Sequence, residues 1–174
     1  MYCALLIVTI ALAGVWADAD EDKSKCIQAL NPGTFRCCNK GPNNMGLPIS
    51  PEALHRDEAL KECFQLPEMM ESCAREICIG NKRGIVSLDG NVDLASVKSN
   101  VERDFKESPE LVTKIVQNCI NNGFSKFGSD DMCDIMKLKQ CLELQILSMC
   151  TEWNNEPPCT GSKDIIDKCS EIYA

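Results

Sequence analysis

The sequence has one histidine, two tryptophans, two tyrosines and five phenylalanines in 174 residues. That scarcity excludes several kinds of chemistry. His55 lies among charged residues, with Arg56 and Asp57 following it, and no serine or cysteine is placed to use it as a general base. It reads as a solvent-facing helix residue, and Asp57 and Glu58 read as parts of the same solvated face. Gly-x-Ser-x-Gly, His-Glu-x-x-His and a phosphate-cradling glycine loop are all missing. The chain is expected not to be an enzyme. Basic clusters are missing too, none exceeding Lys82-Arg83, and 26 acidic against 18 basic residues leave a net charge of −8. Such a chain repels phosphate, which excludes nucleic acid as a partner. There is no Asn-X-Ser/Thr glycosylation site. No apolar run reaches the roughly 20 residues that a membrane span requires.

The opening MYCALLIVTIALAGVWA has an apolar run from Ala4 to Val15, too short for a comfortable span, and reads as a secretory signal. Cleavage is expected after Ala17, because Val15-Trp16-Ala17 offers small or modest side chains where a signal peptidase reads. No Lys or Arg precedes the run; a buried N-terminal helix is the alternative. Residues 18–174 then form a single domain.

Cysteine is the residue in excess. Of thirteen, loss of Cys3 with the signal leaves an even twelve, at a density suited to an oxidising compartment, hence secreted and extracellular. Zinc is the competing use. Cys37 and Cys38 are adjacent, and the gaps between Cys63, Cys73 and Cys78 make no paired C-x₂-C knuckles. With a single histidine, no metal site and no cofactor are expected, and six disulfides are. A helical secreted phospholipase would place histidine beside its paired cysteines; here Asn39-Lys40-Gly41-Pro42 follows them.

Helix signals fill most of the remainder. A short helix is expected around Cys26, then a loop over 31–50 anchored by Cys37 and Cys38. Ser50-Pro51 starts a helix running to Phe64, and Pro67-Glu68 starts another ending near Gly80. Leu88-Asp89-Gly90-Asn91 is a turn. Asp93 caps a helix with Leu94, Val97, Val101 and Phe105 on one face, and Ser108-Pro109 begins the next, closed by Asn121-Asn122-Gly123. Ser129–Trp153 reads as one long helix capped by Ser129, and Ser162 caps the last. Gly84–Leu88 is the sole, weak strand candidate. The fold class is all-α, a compact disulfide-stapled domain of about seven helices.

Three cysteines on the 129–153 helix constrain the pairing. At about 1.5 Å and 100° per residue they are too far apart to pair with one another. Cys141 and Cys150 face opposite sides, while Cys133 lies about 80° from Cys141. From Leu142 to Met149 apolar side chains wrap most of the circumference, the usual mark of core. A domain held by disulfides can nevertheless keep an apolar cavity, and methionines suit its lining. A ligand burying about 300 Å² of apolar surface would gain on the order of 7 kcal/mol before association costs.

The cysteine order resembles that of insect odorant-binding proteins, in particular the Plus-C subclass. The resemblance rests on adjacent Cys37-Cys38 in an N-terminal loop and on Cys73 and Cys78 in ESCAREICIG, followed by Leu88-Asp89-Gly90-Asn91-Val92-Asp93. It also rests on the forty residues between Cys78 and Cys119 and the eight between Cys141 and Cys150, with Cys159 and Cys169 as extra C-terminal cysteines. It covers essentially all of the mature chain. Two features depart from the pattern. Four residues rather than three separate Cys73 from Cys78, and Thr151 rather than proline follows Cys150, although Trp153 sits where an aromatic is expected. A register with Cys150 and Cys159 as fifth and sixth cysteines has the same spacing; Trp153 favours Cys141 and Cys150.

The resemblance implies Cys63–Cys78, Cys73–Cys141 and Cys119–Cys150, leaving Cys26, Cys37, Cys38, Cys133, Cys159 and Cys169 to form three unassigned bridges. It implies a secreted carrier of small hydrophobic molecules such as odorants or pheromones, with a chemosensory receptor or a second copy of the chain as further partners. The expected cavity lining is Val112, Ile115, Val116, Phe124, Phe127, Leu138, Leu142, Ile146 and Met149. Family members often release ligand on acidification; with one histidine, carboxylates or chain-end contacts would have to act as the switch. The alternative is a secreted protein-interaction factor on the same scaffold with a filled interior.

Overall fold

Local capping chemistry sets most of the elements. The structure, a computed structural model, describes residues 21–41, 58–66 and 73–173. The signal segment, the Ser50-Pro51 and Pro67 helix starts and His55 lie outside these residues. Among the described residues there are seven helices: α1 (21–29), α2 (Pro32–Arg36), α3 (Ala74–Lys82), α4 (Leu94–Asp104), α5 (Pro109–Ile115), α6 (Asp134–Leu147) and α7 (Ser162–Ile172). The last turn of α5 widens into π geometry over Val116–Asn121. None of the described helices is long and apolar enough to cross a membrane.

Asp93 caps α4 as expected. Its carboxylate accepts from the backbone N–H of Ala95 at 3.0 Å and Ser96 at 3.3 Å, and from the Ser96 hydroxyl at 2.7 Å. These bonds, the Ser96 hydroxyl first, hold it below the usual carboxylate range. Pro109 opens α5 behind Ser108. Gly123 and Gly90 take the positive φ angles, +76° and +87°, that their turns require. Gly90 N–H donates to the Ser87 carbonyl at 3.0 Å.

Several expected elements differ. The helix running to Phe64 is, over its described part, two short 3₁₀ turns, Glu58–Leu60 and Cys63–Gln65. α3 begins after Cys73, which adopts a left-handed backbone at φ +48°, and runs past Gly80 to Lys82. Gly80 does not stop the helix because packing requires it there: a Cβ would lie 2.6 Å from Val86 Cγ2. Gly80→Ala is therefore expected to lower stability by about 1–3 kcal/mol, the usual cost of overpacking. A denaturant midpoint equal to the parent's would contradict that close approach.

The expected 129–153 helix is shorter at both ends. The Ser129 hydroxyl pairs with the Asp131 carboxylate, holding it below its usual range, and the Ser129 carbonyl closes a turn with Met132 N–H at 3.1 Å. Cys133 takes the N-cap position instead. Beyond Leu147 the chain turns into an unanticipated two-stranded antiparallel sheet, β1 (Cys38–Lys40) with β2 (Glu152–Trp153), pairing Cys38 with Trp153 and Lys40 with Glu152. Thr151 N–H donates to the Lys40 carbonyl at 2.9 Å and Asn154 N–H to that of Cys37 at 2.8 Å. The weak strand candidate near Gly84–Leu88 contributes a single bridge, Val86 with Val92. At α7, Gly161 rather than Ser162 holds the N-cap position.

α6 is the centre of the core. Ten of its fourteen residues are buried, around its whole circumference. Leu138, Cys141 and Leu144 are fully enclosed, together with Leu111, Ile115 and Cys119 from the α5 segment and Ile166 and Cys169 from α7.

Candidate functional site

Six disulfides decide what surrounds α6. Cys26–Cys169 ties α1 to α7, and Cys63–Cys78 ties a 3₁₀ turn to α3. Cys73–Cys133 joins the N-terminal ends of α3 and α6, and Cys119–Cys141 joins the π turn to the middle of α6. Cys37–Cys159 and Cys38–Cys150 leave adjacent residues for opposite ends of the β2 segment. Their Cα atoms lie 5.3 and 5.8 Å apart, within ordinary disulfide geometry. Cys37 ends α2 in helical backbone while Cys38 opens β1, so the backbone changes direction between them and the two cysteines serve different partners.

The expected Cys63–Cys78 bridge is present. The other two are not: Cys73 pairs with Cys133 rather than Cys141, and Cys119 with Cys141 rather than Cys150. The reason is angular. Positions 141 and 150 project from opposite sides of a helix, and Cys150 in any case lies beyond α6, in the turn before β2. α5 and its π turn lie against the Cys141 side of α6. There the Asn118 amide donates to Gln145 Oε1 at 2.9 Å and Lys114 Nζ lies 3.4 Å from Ser148 Oγ. Cys119 meets Cys141 at that contact. The remaining cysteines form Cys26–Cys169, Cys37–Cys159 and Cys38–Cys150.

Eight of the nine expected lining residues come together. Ile115, Phe127, Leu138 and Ile146 belong to the buried core, and Val112, Phe124, Leu142 and Met149 pack against it from half-buried positions. Val116 is half-buried and stands outside that cluster. Phe127 stacks on Tyr173 with ring centroids 4.4 Å apart. The Tyr173 hydroxyl is buried without a hydrogen-bond partner, and burial raises its pKa. Lys126 Nζ donates to the Tyr173 carbonyl at 2.6 Å, fixing the end of α7 over this part of the core.

The apolar reading of α6 missed its buried polar side chains. Lys137, Gln140, Glu143 and Gln145 are all buried in the same helix. Gln145 is satisfied by Asn118. Gln140 Oε1 has no partner. Burial pushes the Glu143 carboxyl up to about 7, and Lys139, one turn earlier, draws it back only in part. The signal was present in QCLELQ: a helix apolar on nearly every side must take its polar residues inside with it. No group of three or more His, Cys, Asp or Glu among the described residues is arranged to hold a metal ion.

No protein-family model, curated protein or solved structure matches the chain.

Proposed function

We propose that the chain is a secreted carrier of small hydrophobic molecules, such as odorants or pheromones, related in plan to the Plus-C odorant-binding proteins. The observation that carries this reading is the interleaving of the disulfides. Taking Cys63, Cys73, Cys78, Cys119, Cys133 and Cys141 as the six scaffold cysteines, the bridges run first to third, second to fifth and fourth to sixth. This is the order the resemblance implies, moved one cysteine toward the N-terminus from the register that spacing favours. Cys26, Cys37, Cys38, Cys150, Cys159 and Cys169 then form a separate set of three extra bridges that join the N-terminal segment to the C-terminal one. Such dense crosslinking suits secretion into an oxidising fluid. It also suits a domain that keeps its helices in place with part of its interior given to a ligand. A chemosensory receptor or a second copy of the chain is the further partner this reading implies.

Titration of the oxidised protein with an environment-sensitive apolar fluorophore is expected to give a saturable signal, at roughly micromolar affinity, that volatile apolar compounds displace. Absence of any displaceable signal would remove the carrier reading and favour an interaction factor with a filled interior.

A further inference from the structure

Gln140 and Glu143 stand three residues apart on α6, which sets their side chains next to each other on one face. They are 5% and 7% exposed. At about 100° per residue, that face lies roughly 150° around the helix from the side of Cys141 and Gln145, which α5 covers. Gln140 Oε1 is fully buried with no hydrogen-bond partner, and the Glu143 side chain is buried beside it. A buried acceptor left unmade is unfavourable, the more so on the most enclosed helix of a fold. Leucine at position 140 would remove the problem if the sole task of that face were to fill the core. A donor arriving with a ligand would also remove it.

We propose that Gln140 and Glu143 form the polar anchor of the ligand site and select small apolar molecules carrying a single hydroxyl group. This rests on the carrier reading. A hydroxyl both donates and accepts: it donates to Gln140 Oε1 and accepts from the Glu143 carboxyl in its protonated form. Lys139 tempers but does not cancel the effect of burial on that carboxyl. Sites that present buried hydrogen-bonding groups discriminate strongly against analogues lacking the matching group, because the protein atoms are then left unpaired. The apolar remainder of the molecule supplies affinity, and the anchor supplies selectivity.

The test measures displacement of an apolar fluorophore from the full oxidised chain by three molecules of equal length: a primary alcohol, its methyl ether and the alkane. The alcohol is expected to bind tenfold or more tightly than the ether. Gln140→Leu is expected to reduce that preference below threefold. On the parent protein the Gln140 side-chain amide resonance is expected to shift with the alcohol and not with the ether, a measurement that needs no variant to fold. Equal binding of all three molecules overturns the anchor and leaves the carrier reading standing. An alcohol preference that survives both Gln140→Leu and Glu143→Leu, or an unmoved Gln140 resonance, overturns the assignment to these residues. If none of the three displaces the fluorophore, the carrier reading falls and the anchor falls with it.

Discussion

Replacing Cys119 and Cys141 together by alanine is expected to lower the unfolding free energy by roughly 3–5 kcal/mol. The bridge closes a loop of 22 residues, for which chain entropy alone gives about 3 kcal/mol. Both side chains are fully buried, so truncation also removes packed atoms at the contact between the π turn and α6, and cavity formation adds to the cost. The Cys26–Cys169 bridge provides the contrast. Its sequence separation of 143 would suggest about 5 kcal/mol if it acted alone. It does not act alone. Eleven residues lead from Cys26 to Cys37, the Cys37–Cys159 bridge crosses the fold, and ten more lead to Cys169. The unfolded chain is already held close there, so removing Cys26–Cys169 is expected to cost about 3 kcal/mol, near the value for a loop about as short as the Cys119–Cys141 one. Denaturant titration of the two double variants under non-reducing conditions measures both. A Cys26–Cys169 variant much the weaker of the two would contradict the short path through Cys37–Cys159.

Glu143→Gln carries the second large effect, and its sign is unusual for a carboxylate. The folded-state pKa is raised from 4.5 to about 7 by burial, so between these values the folded protein binds more protons than the unfolded chain. Stability from this group is therefore fully present below about pH 4.5 and is lost as pH rises to about 7. The shift corresponds to roughly 3 kcal/mol. Asp22, Asp89, Asp93 and Asp131 act in the opposite direction, their carboxyls being held low by hydrogen bonds, Lys168 and Ser87 leading for the first two. Comparison with the glutamine variant at each pH isolates Glu143 from them. The two proteins are expected to unfold with equal free energy near pH 4 and to separate with rising pH. By pH 7 to 8 the variant is the more stable by roughly 3 kcal/mol. A difference independent of pH would mean that the carboxyl is hydrated or paired.

Caps and turns were the most legible part of this chain. Asp93, Ser108-Pro109, Gly90 and Asn122-Gly123 are local signals, and the backbone obeys each where neighbouring residues can satisfy it. Ser129 shows the limit: its hydroxyl meets Asp131, two residues away, before it can meet a helix N–H. The sheet between β1 and β2 joins residues more than a hundred positions apart and has almost no period-two pattern to announce it. The cysteines carried two signals that disagreed. Spacing together with Trp153 pointed to Cys141 and Cys150 as the scaffold's last pair, whereas the angle around the helix set Cys150 opposite Cys141, with Cys133 about 80° from Cys141. Packing follows the angle. The candidate site was legible as apolar surface and illegible as polar chemistry, because Gln140 and Glu143 looked like the outer face of a helix that has no outer face.

The two bridges that leave Cys37 and Cys38 also bear on how the protein withstands digestion. Residues 155–158, between their partners, are exposed, and a protease that cuts there meets a segment fastened on both sides to a single dipeptide. The nicked molecule keeps α6 and α7 joined through Cys37 and Cys38, and would part into fragments once a reductant opens the bridges.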